Sequence, residues 1–207
     1  MTQQFNPKIW PQTTTSENGV IKIGGCSLSA LAQQFGTPAF ILDDTDFKAR
    51  AQSWFNALQI HFGENAGVVY YAAKAFISKE IAKWVEQAGL GLDVCTGGEL
   101  AVAQAAGFPA ARIEMHGNNK SESEIVAAID YRVETIVLDS LQEIERVARI
   151  SHQKAVVQKV LLRLTPGVEA HTHEAISTAH EDVLFGFSIA SGAAWDAVFA
   201  VKKHESL

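Results

Sequence analysis

A βα barrel built on parallel strands is the fold class the sequence predicts, and three observations predict it. From about residue 68 onward, short β-like runs alternate with amphipathic stretches, the order that produces parallel βα units. A polar side chain closes each strand run: Lys74, Asp93, His116, Asp139 and Arg163 follow one another at spacings of 19, 23, 23 and 24 residues. In a βα barrel such strand ends converge on one face, where the active site is built. The first strand of the series ends in Ala73-Lys74-Ala75-Phe76, whereas a doubly wound open sheet usually carries a Gly-x-Gly-x-x-Gly phosphate turn there.

The elements follow in order. Residues 1–38 are rich in Thr, Gln, Gly and Ser and form a lead-in with short apolar pieces, such as Val20-Ile21-Lys22-Ile23, that suggest a brief strand. At Pro38 the pattern changes. Ala39-Phe40-Ile41-Leu42 is apolar, Asp43-Asp44 supplies helix-start signals, and a helix is expected from about Phe47 to Ile60. Residues 39–207 are read as the barrel domain. Its strands are expected at Val68–Ala73, Gly91–Val94, Ile113–His116, Thr135–Leu138 and Lys159–Leu164. Helices are expected between them at about Ser78–Gln87, Glu99–Ala106, Ser121–Asp130 and Leu141–Ile150. Ser121 with Glu124 reads as a capping box. Asp139, ahead of Ser140-Leu141, is read as a helix N-cap.

Bulk properties exclude several function classes. The 207 residues are 47% hydrophobic and 19% charged, as in an ordinary soluble globular protein. The net charge of −6 is spread without blocks of like sign, which disfavours nucleic-acid binding, because phosphate neutralisation needs a basic patch. Cys26 and Cys95 lie far apart, show no metal spacing and suit a reducing compartment. The N-terminus lacks a basic region followed by an apolar one, and no apolar run reaches the roughly 18 residues of a membrane span. A cytoplasmic protein is expected.

Among the strand-end residues, Lys74 carries the most chemistry. It ends the apolar run Val68-Val69-Tyr70-Tyr71-Ala72-Ala73. Burial there would disfavour the ammonium, and a neutral amine attacks carbonyls to form a Schiff base. The alternative is a lysine that carries its head to solvent. In Gly91-Leu92-Asp93-Val94-Cys95-Thr96-Gly97-Gly98-Glu99, the paired glycines permit a tight turn and close approach of a ligand. Asp93 and Glu99 place carboxylates beside that turn, although Glu99 in a first helical turn also complements the helix dipole. His116 reads as a structural hydrogen-bonding residue. Arg163 requires a carboxylate or a ligand's oxygen atoms opposite it, so it either organises the pocket or forms an ion pair inside the barrel.

Taken together, Tyr71-Ala72-Ala73-Lys74-Ala75, Gly91-Leu92-Asp93-Val94 with Thr96-Gly97-Gly98-Glu99-Leu100, His116-Gly117-Asn118-Asn119-Lys120-Ser121, Asp139-Ser140 with Glu143, and Gly167-Val168-Glu169-Ala170-His171-Thr172-His173-Glu174 closely resemble the diaminopimelate decarboxylase family. The resemblance covers roughly residues 20–190. It implies an alanine-racemase-like barrel of pyridoxal-phosphate fold type III, with Lys74 holding pyridoxal 5'-phosphate and with Asp93, Glu99 and Arg163 near the cofactor. The implied reaction is decarboxylation of meso-2,6-diaminopimelate to L-lysine, and the implied assembly is a homodimer without nucleic-acid or membrane partners. Ornithine and arginine decarboxylases resemble the chain around the lysine and the Asp-Val turn, but their third strand usually leads to an Ala-Asn-Pro-type turn. A non-catalytic, cofactor-binding remnant is the remaining reading.

The family pattern continues past residue 207, with a stacking His, a Gly-Gly-Gly phosphate loop, a Glu-Pro-Gly-Arg segment and a C-terminal β-domain. None of these is present in the sequence. The expectation is therefore an N-terminal part, incomplete as a barrel and stopping before the sixth strand, with little activity alone. The lead-in at 1–38 would belong to the β-domain. Thr96 stands where the family commonly has Ser, and Leu184 where it often has a basic residue.

Overall fold

Side chains alternate between the two faces of a strand, and the pairing register decides which of them become neighbours. The computed structural model describes residues 5–64, 67–167 and 185–207. The chain divides into two compact units, Met1–Val69 with Gln87–Leu90, and Tyr70–Glu86 with Gly91–Leu207.

The first unit contains an antiparallel meander of β1 (Thr15–Glu17), β2 (Val20–Ile23) and β3 (Cys26–Ser27). Asn18-Gly19 and Gly24-Gly25 make its turns with positive φ at both residues, the requirement of the two-residue hairpin that follows strand twist. Ser27 caps α1 (Leu28–Phe35), and Asp43 caps α2 (Asp44–Phe62) by accepting from the Thr45 and Asp46 amides. The apolar piece Ala39–Leu42 forms neither helix nor strand, and Phe40 is fully exposed.

The second unit holds a five-stranded parallel sheet in sequence order: β4 (Tyr70–Ala72), β5 (Gly91–Val94), β6 (Ile113–Met115), β7 (Thr135–Leu138) and β8 (Val160–Leu162). Between the strands run α3 (Lys79–Gln87), α4 (Gly97–Ala106), α5 (Glu122–Tyr131) and α6 (Leu141–Gln153). Leu92, Val94, Ile113, Met115, Ile136 and Leu138 are wholly buried, and with helix residues such as Val85, Leu100, Ile125 and Ile144 they form the core. Burying each such side chain contributes roughly 1.5–3 kcal/mol. The opposite face carries a different row. Ala72 stands beside Asp93, Asp93 beside Glu114, and Glu114 beside Thr135. At the start of the sheet the Tyr70 ring occupies the space above Gly91, where an added Cβ would lie 2.5 Å from ring carbons.

The α/β class with its parallel sheet agrees with the incomplete barrel that the sequence predicts. The structure corrects three details. The strand order runs one step further than expected: β9 (Leu164–Thr165) continues just past β8, and β10 (Phe187–Ser188) pairs with it in parallel before α7 (Ala193–Val201). Lys74 lies beyond the end of β4, in a short 3-10 turn over Ala73–Ala75. Ser140, not Asp139, caps α6, because its hydroxyl is the group that accepts from the Glu143 amide. Among the described residues, no helix is long and apolar enough to cross a membrane.

Candidate active site at the strand ends

Parallel register brings the expected polar residues to one place. Lys74, Asp93, Glu114, His116, Arg163 and Phe185 line a cavity of about 640 Å³ at the C-terminal ends of the strands. A cavity of about 650 Å³ in the first unit is lined mainly by apolar side chains such as Leu28, Phe35 and Phe40, and lacks this convergence of ionisable groups. A few convergent polar groups in a concave site are what distinguish a binding centre from a surface groove.

Lys74 is exposed at the cavity, so of the two alternatives its sequence context left open, enclosure by the apolar run or a head carried to solvent, the structure has the second. It interacts electrostatically with Asp93 and Cys95. Because Asp93 and Glu114 are register partners, their carboxylates share one face, and His116, two residues beyond Glu114, joins them. His116 Nε2 lies 2.6 Å from Glu114 Oε1 and 3.8 Å from Asp93 Oδ1. Burial pushes the Asp93 carboxyl above the usual carboxylate range. His116 and Lys74 oppose that shift, and Glu114 and Glu99 add to it. Burial, followed by Asp93 and Glu99, likewise pushes the Cys95 thiol up.

The sign of the Asp93 shift gives a test. A carboxyl with a raised native pKa contributes stability at low pH, and this is lost as pH rises from the usual carboxylate range through the native value. Asp93→Asn is therefore expected to raise the Tm at pH 7. The gain should shrink towards pH 4. Thermal unfolding across this range checks it, and a gain that grows on acidification would contradict it.

On the far wall, Arg163 faces a carboxylate, one of the two partners its sequence context requires. It lines the cavity, and its Nη1 lies 3.3 Å from Asp139 Oδ1. The guanidinium also stacks over the Phe185 ring at 4.5 Å. Asp139 is buried, and its second oxygen accepts from the Gly186 amide at 3.2 Å. Gly186 has φ of 73°, and an added Cβ would meet the Arg163 carbonyl oxygen at 2.7 Å.

Glu99 is not among the residues lining the cavity. Its carboxylate accepts from the Cys95 amide at 2.5 Å, while the Thr96 hydroxyl caps α4. Gly97 makes a close approach to Glu124: an added Cβ would lie 3.0 Å from Glu124 Cγ, and its amide donates to Glu124 Oε1 at 2.7 Å. The expected capping box of Ser121 and Glu124 is present. The segment 168–174 and Leu184 lie outside the described residues.

Two residues escaped the sequence reading. Glu114 does not close its strand run, so the pattern of strand-end polar residues does not single it out. The alternation Ile113-Glu114-Met115-His116 places Glu114 on the same face as His116. Lys120 is 2% exposed, and its Nζ donates to the Gly117 and Val137 carbonyls at 2.7 Å and pairs with Glu143 Oε2 at 3.0 Å. Burial pushes its ammonium pKa down, against the pull of Glu143. In the sequence it is simply a lysine in a polar turn.

A family model and several known proteins match this chain. The family described as "Pyridoxal-dependent decarboxylase, pyridoxal binding domain" matches residues 44–207. Diaminopimelate decarboxylase of Mycobacterium tuberculosis is 55% identical over 193 residues, which is 93% of this chain and 42% of that protein. The corresponding protein of Bacillus subtilis is 42% identical, over 93% of this chain and 43% of its own length. The chain thus spans less than half the length of these relatives. Among solved structures, diaminopimelate decarboxylase from M. jannaschii in complex with L-lysine superposes with a TM-score of 0.81 at 27% identity, over 95% of this chain and 46% of that one. The Helicobacter pylori protein complexed with L-lysine gives 0.76 at 26% identity, over 86% and 44%.

Proposed function

Because the chain belongs to the pyridoxal-binding domain family of the pyridoxal-dependent decarboxylases, we propose that its strand-end cavity receives pyridoxal 5'-phosphate on Lys74. We further propose that the protein decarboxylates meso-2,6-diaminopimelate to L-lysine and carbon dioxide. The observation that carries this reading is the convergence of Lys74, Asp93, His116 and Arg163 in one cavity.

The donor set fits the aldehyde-bearing end of the cofactor. Lys74 presents an exposed primary amine, and Asp93 beside it balances the ammonium or receives its proton. Gly117 lines the cavity at the turn with φ of 118°, and a Cβ there would come within 3.1 Å of the Cys95 carbonyl oxygen, so the turn is built for glycine. When bound, the cofactor supplies the electron sink that makes loss of carbon dioxide feasible. The protein contributes position and proton control. Lys74 anchors, the Glu114–His116 hydrogen bond orients the imidazole, and Arg163, held by Asp139 and Phe185, places a cation on the opposite wall. The carbon that loses its carboxylate must gain a proton, and Lys74, Asp93 and His116 are cavity groups able to hold it. Glu99 contributes by fixing the Cys95 backbone beside Asp93.

Several further parts of this reading follow the resemblance. Residues 1–38, with the β1–β3 meander, belong to a β-domain, and residues 39–207 to the barrel. The protein acts in the cytoplasm as a homodimer on a free amino acid, without nucleic-acid or membrane partners.

The test is substrate selectivity. The chain, supplied with the remaining C-terminal residues of the M. tuberculosis relative, is expected to release carbon dioxide from meso-diaminopimelate and not from ornithine or arginine. Release from ornithine or arginine instead would establish the alternative decarboxylase reading. Cofactor uptake without release from any of these substrates would indicate a non-catalytic binding module.

A further inference from the structure

Lys120 is a charged side chain with 2% exposure that the proposed chemistry does not use. A lysine is rarely buried so completely unless every proton on its ammonium has an acceptor. Here three do, and each belongs to a different element. Gly117 O lies in the turn after β6, Val137 O in β7, and Glu143 Oε2 in the first turn of α6. The lysine's own carbonyl is held by Arg146 Nη1 at 2.8 Å. The turn that Lys120 closes begins at His116, whose amide donates to Val94 O, and it passes through Gly117 at φ of 118°. Glu143 Oε2 in turn accepts from the Asp139 amide at 2.9 Å. The ammonium therefore lies beneath the cavity and ties together segments that carry His116 and Gly117 on one side and Val137 and Asp139 on the other.

We propose that Lys120 is a positioning residue: its ammonium, through the Gly117 and Val137 carbonyls, fixes the His116–Asn118 wall against which the cofactor seats. The seating of the cofactor rests on the function proposed above, whereas the fixing of His116 does not. A bound group held by a wall is only as well placed as the wall's own support.

Two ways of breaking the ion pair separate positioning from charge balance. Glu143→Gln removes the carboxylate charge but leaves an acceptor for the Asp139 amide and leaves Lys120 on both carbonyls. Lys120→Met removes both carbonyl contacts. Should Lys120→Met fail to fold, the double variant Lys120→Met/Glu143→Met removes the buried charge left behind and takes its place. The His116 ring nitrogen resonances of the cofactor-free protein are read first. They are expected to move in the Lys120 variant and to stay at the wild-type position in Glu143→Gln. Equilibrium titration with pyridoxal phosphate is read second. The Lys120 variant is expected to bind about tenfold more weakly, the scale on which loss of a supporting partner weakens a bound group, while Glu143→Gln stays within about twofold of wild type. Equal displacement of His116 in both variants, or in neither, would overturn the proposal. Wild-type protein that takes up no cofactor, with His116 still moving only in the Lys120 variant, would overturn the cofactor reading and leave the positioning role supported.

Discussion

Lys74→Ala is expected to abolish covalent retention of pyridoxal phosphate and, in the chain completed with the C-terminal residues of its M. tuberculosis relative, to lower the proposed decarboxylation by on the order of 10³-fold or more, the scale of removing an essential nucleophile. Folding should be almost untouched. Lys74 is exposed, follows β4 in a 3-10 turn and contributes nothing to the core, so the Tm should stay within about 2 °C of wild type. Cofactor absorbance retained through dialysis, carbon dioxide release and thermal unfolding measure these three effects independently. Full retention of cofactor by the variant, or a large fall in Tm with activity lost only in proportion to unfolding, would assign Lys74 to structure instead. Arg163→Ala should not reproduce this profile, because its ion pair with buried Asp139 makes part of its loss structural.

Breaking the Lys120–Glu143 pair is expected to have the largest effect on stability. Both side chains are nearly without exposure, at 2% and 4%. Lys120→Ala strands the Glu143 carboxylate without its cation, and removing one partner of a buried pair costs about 3–5 kcal/mol. For a chain of this size that corresponds to a fall in Tm of roughly 10 °C or more. The surface pairs Lys48–Asp44 and Arg50–Asp46 provide the contrast. They lie one helical turn apart with partly exposed side chains, and deleting either should cost no more than about 0.5 kcal/mol. High salt should erase the surface contributions and spare the buried one. Urea unfolding at low and high salt measures both, and a Lys120→Ala cost below about 1 kcal/mol would contradict the burial of the charge.

The βα alternation was legible because it rests on local patterning. Gly91–Val94 and Thr135–Leu138 coincide with their expected bounds, since each is a short run between turn and capping residues. The Ser121–Glu124 capping box was legible for the same reason. The strand ends could be placed on one face because parallel connections allow no other arrangement in a barrel. What the sequence hid depends on register and on distance along the chain. Glu114 acquires its role from Asp93 on the neighbouring strand, and Lys120 from carbonyls whose positions no motif reports. Asp139 looked like a cap because capping residues and buried ion-pair carboxylates share the same chemistry; only the presence of Arg163 and Gly186 opposite it distinguishes the two. Two residues, Phe187–Ser188, are too short a run to announce a strand before pairing shows it.

The central claim is that Lys74 is the amine on which the cofactor is held. Incubation of the chain with pyridoxal phosphate, reduction with borohydride and peptide mass mapping test it directly. The expected result is one pyridoxyl adduct, on the peptide containing Tyr71-Ala72-Ala73-Lys74-Ala75. Adducts scattered over surface lysines such as Lys48 and Lys159 with none on Lys74, or no adduct at all, would contradict it.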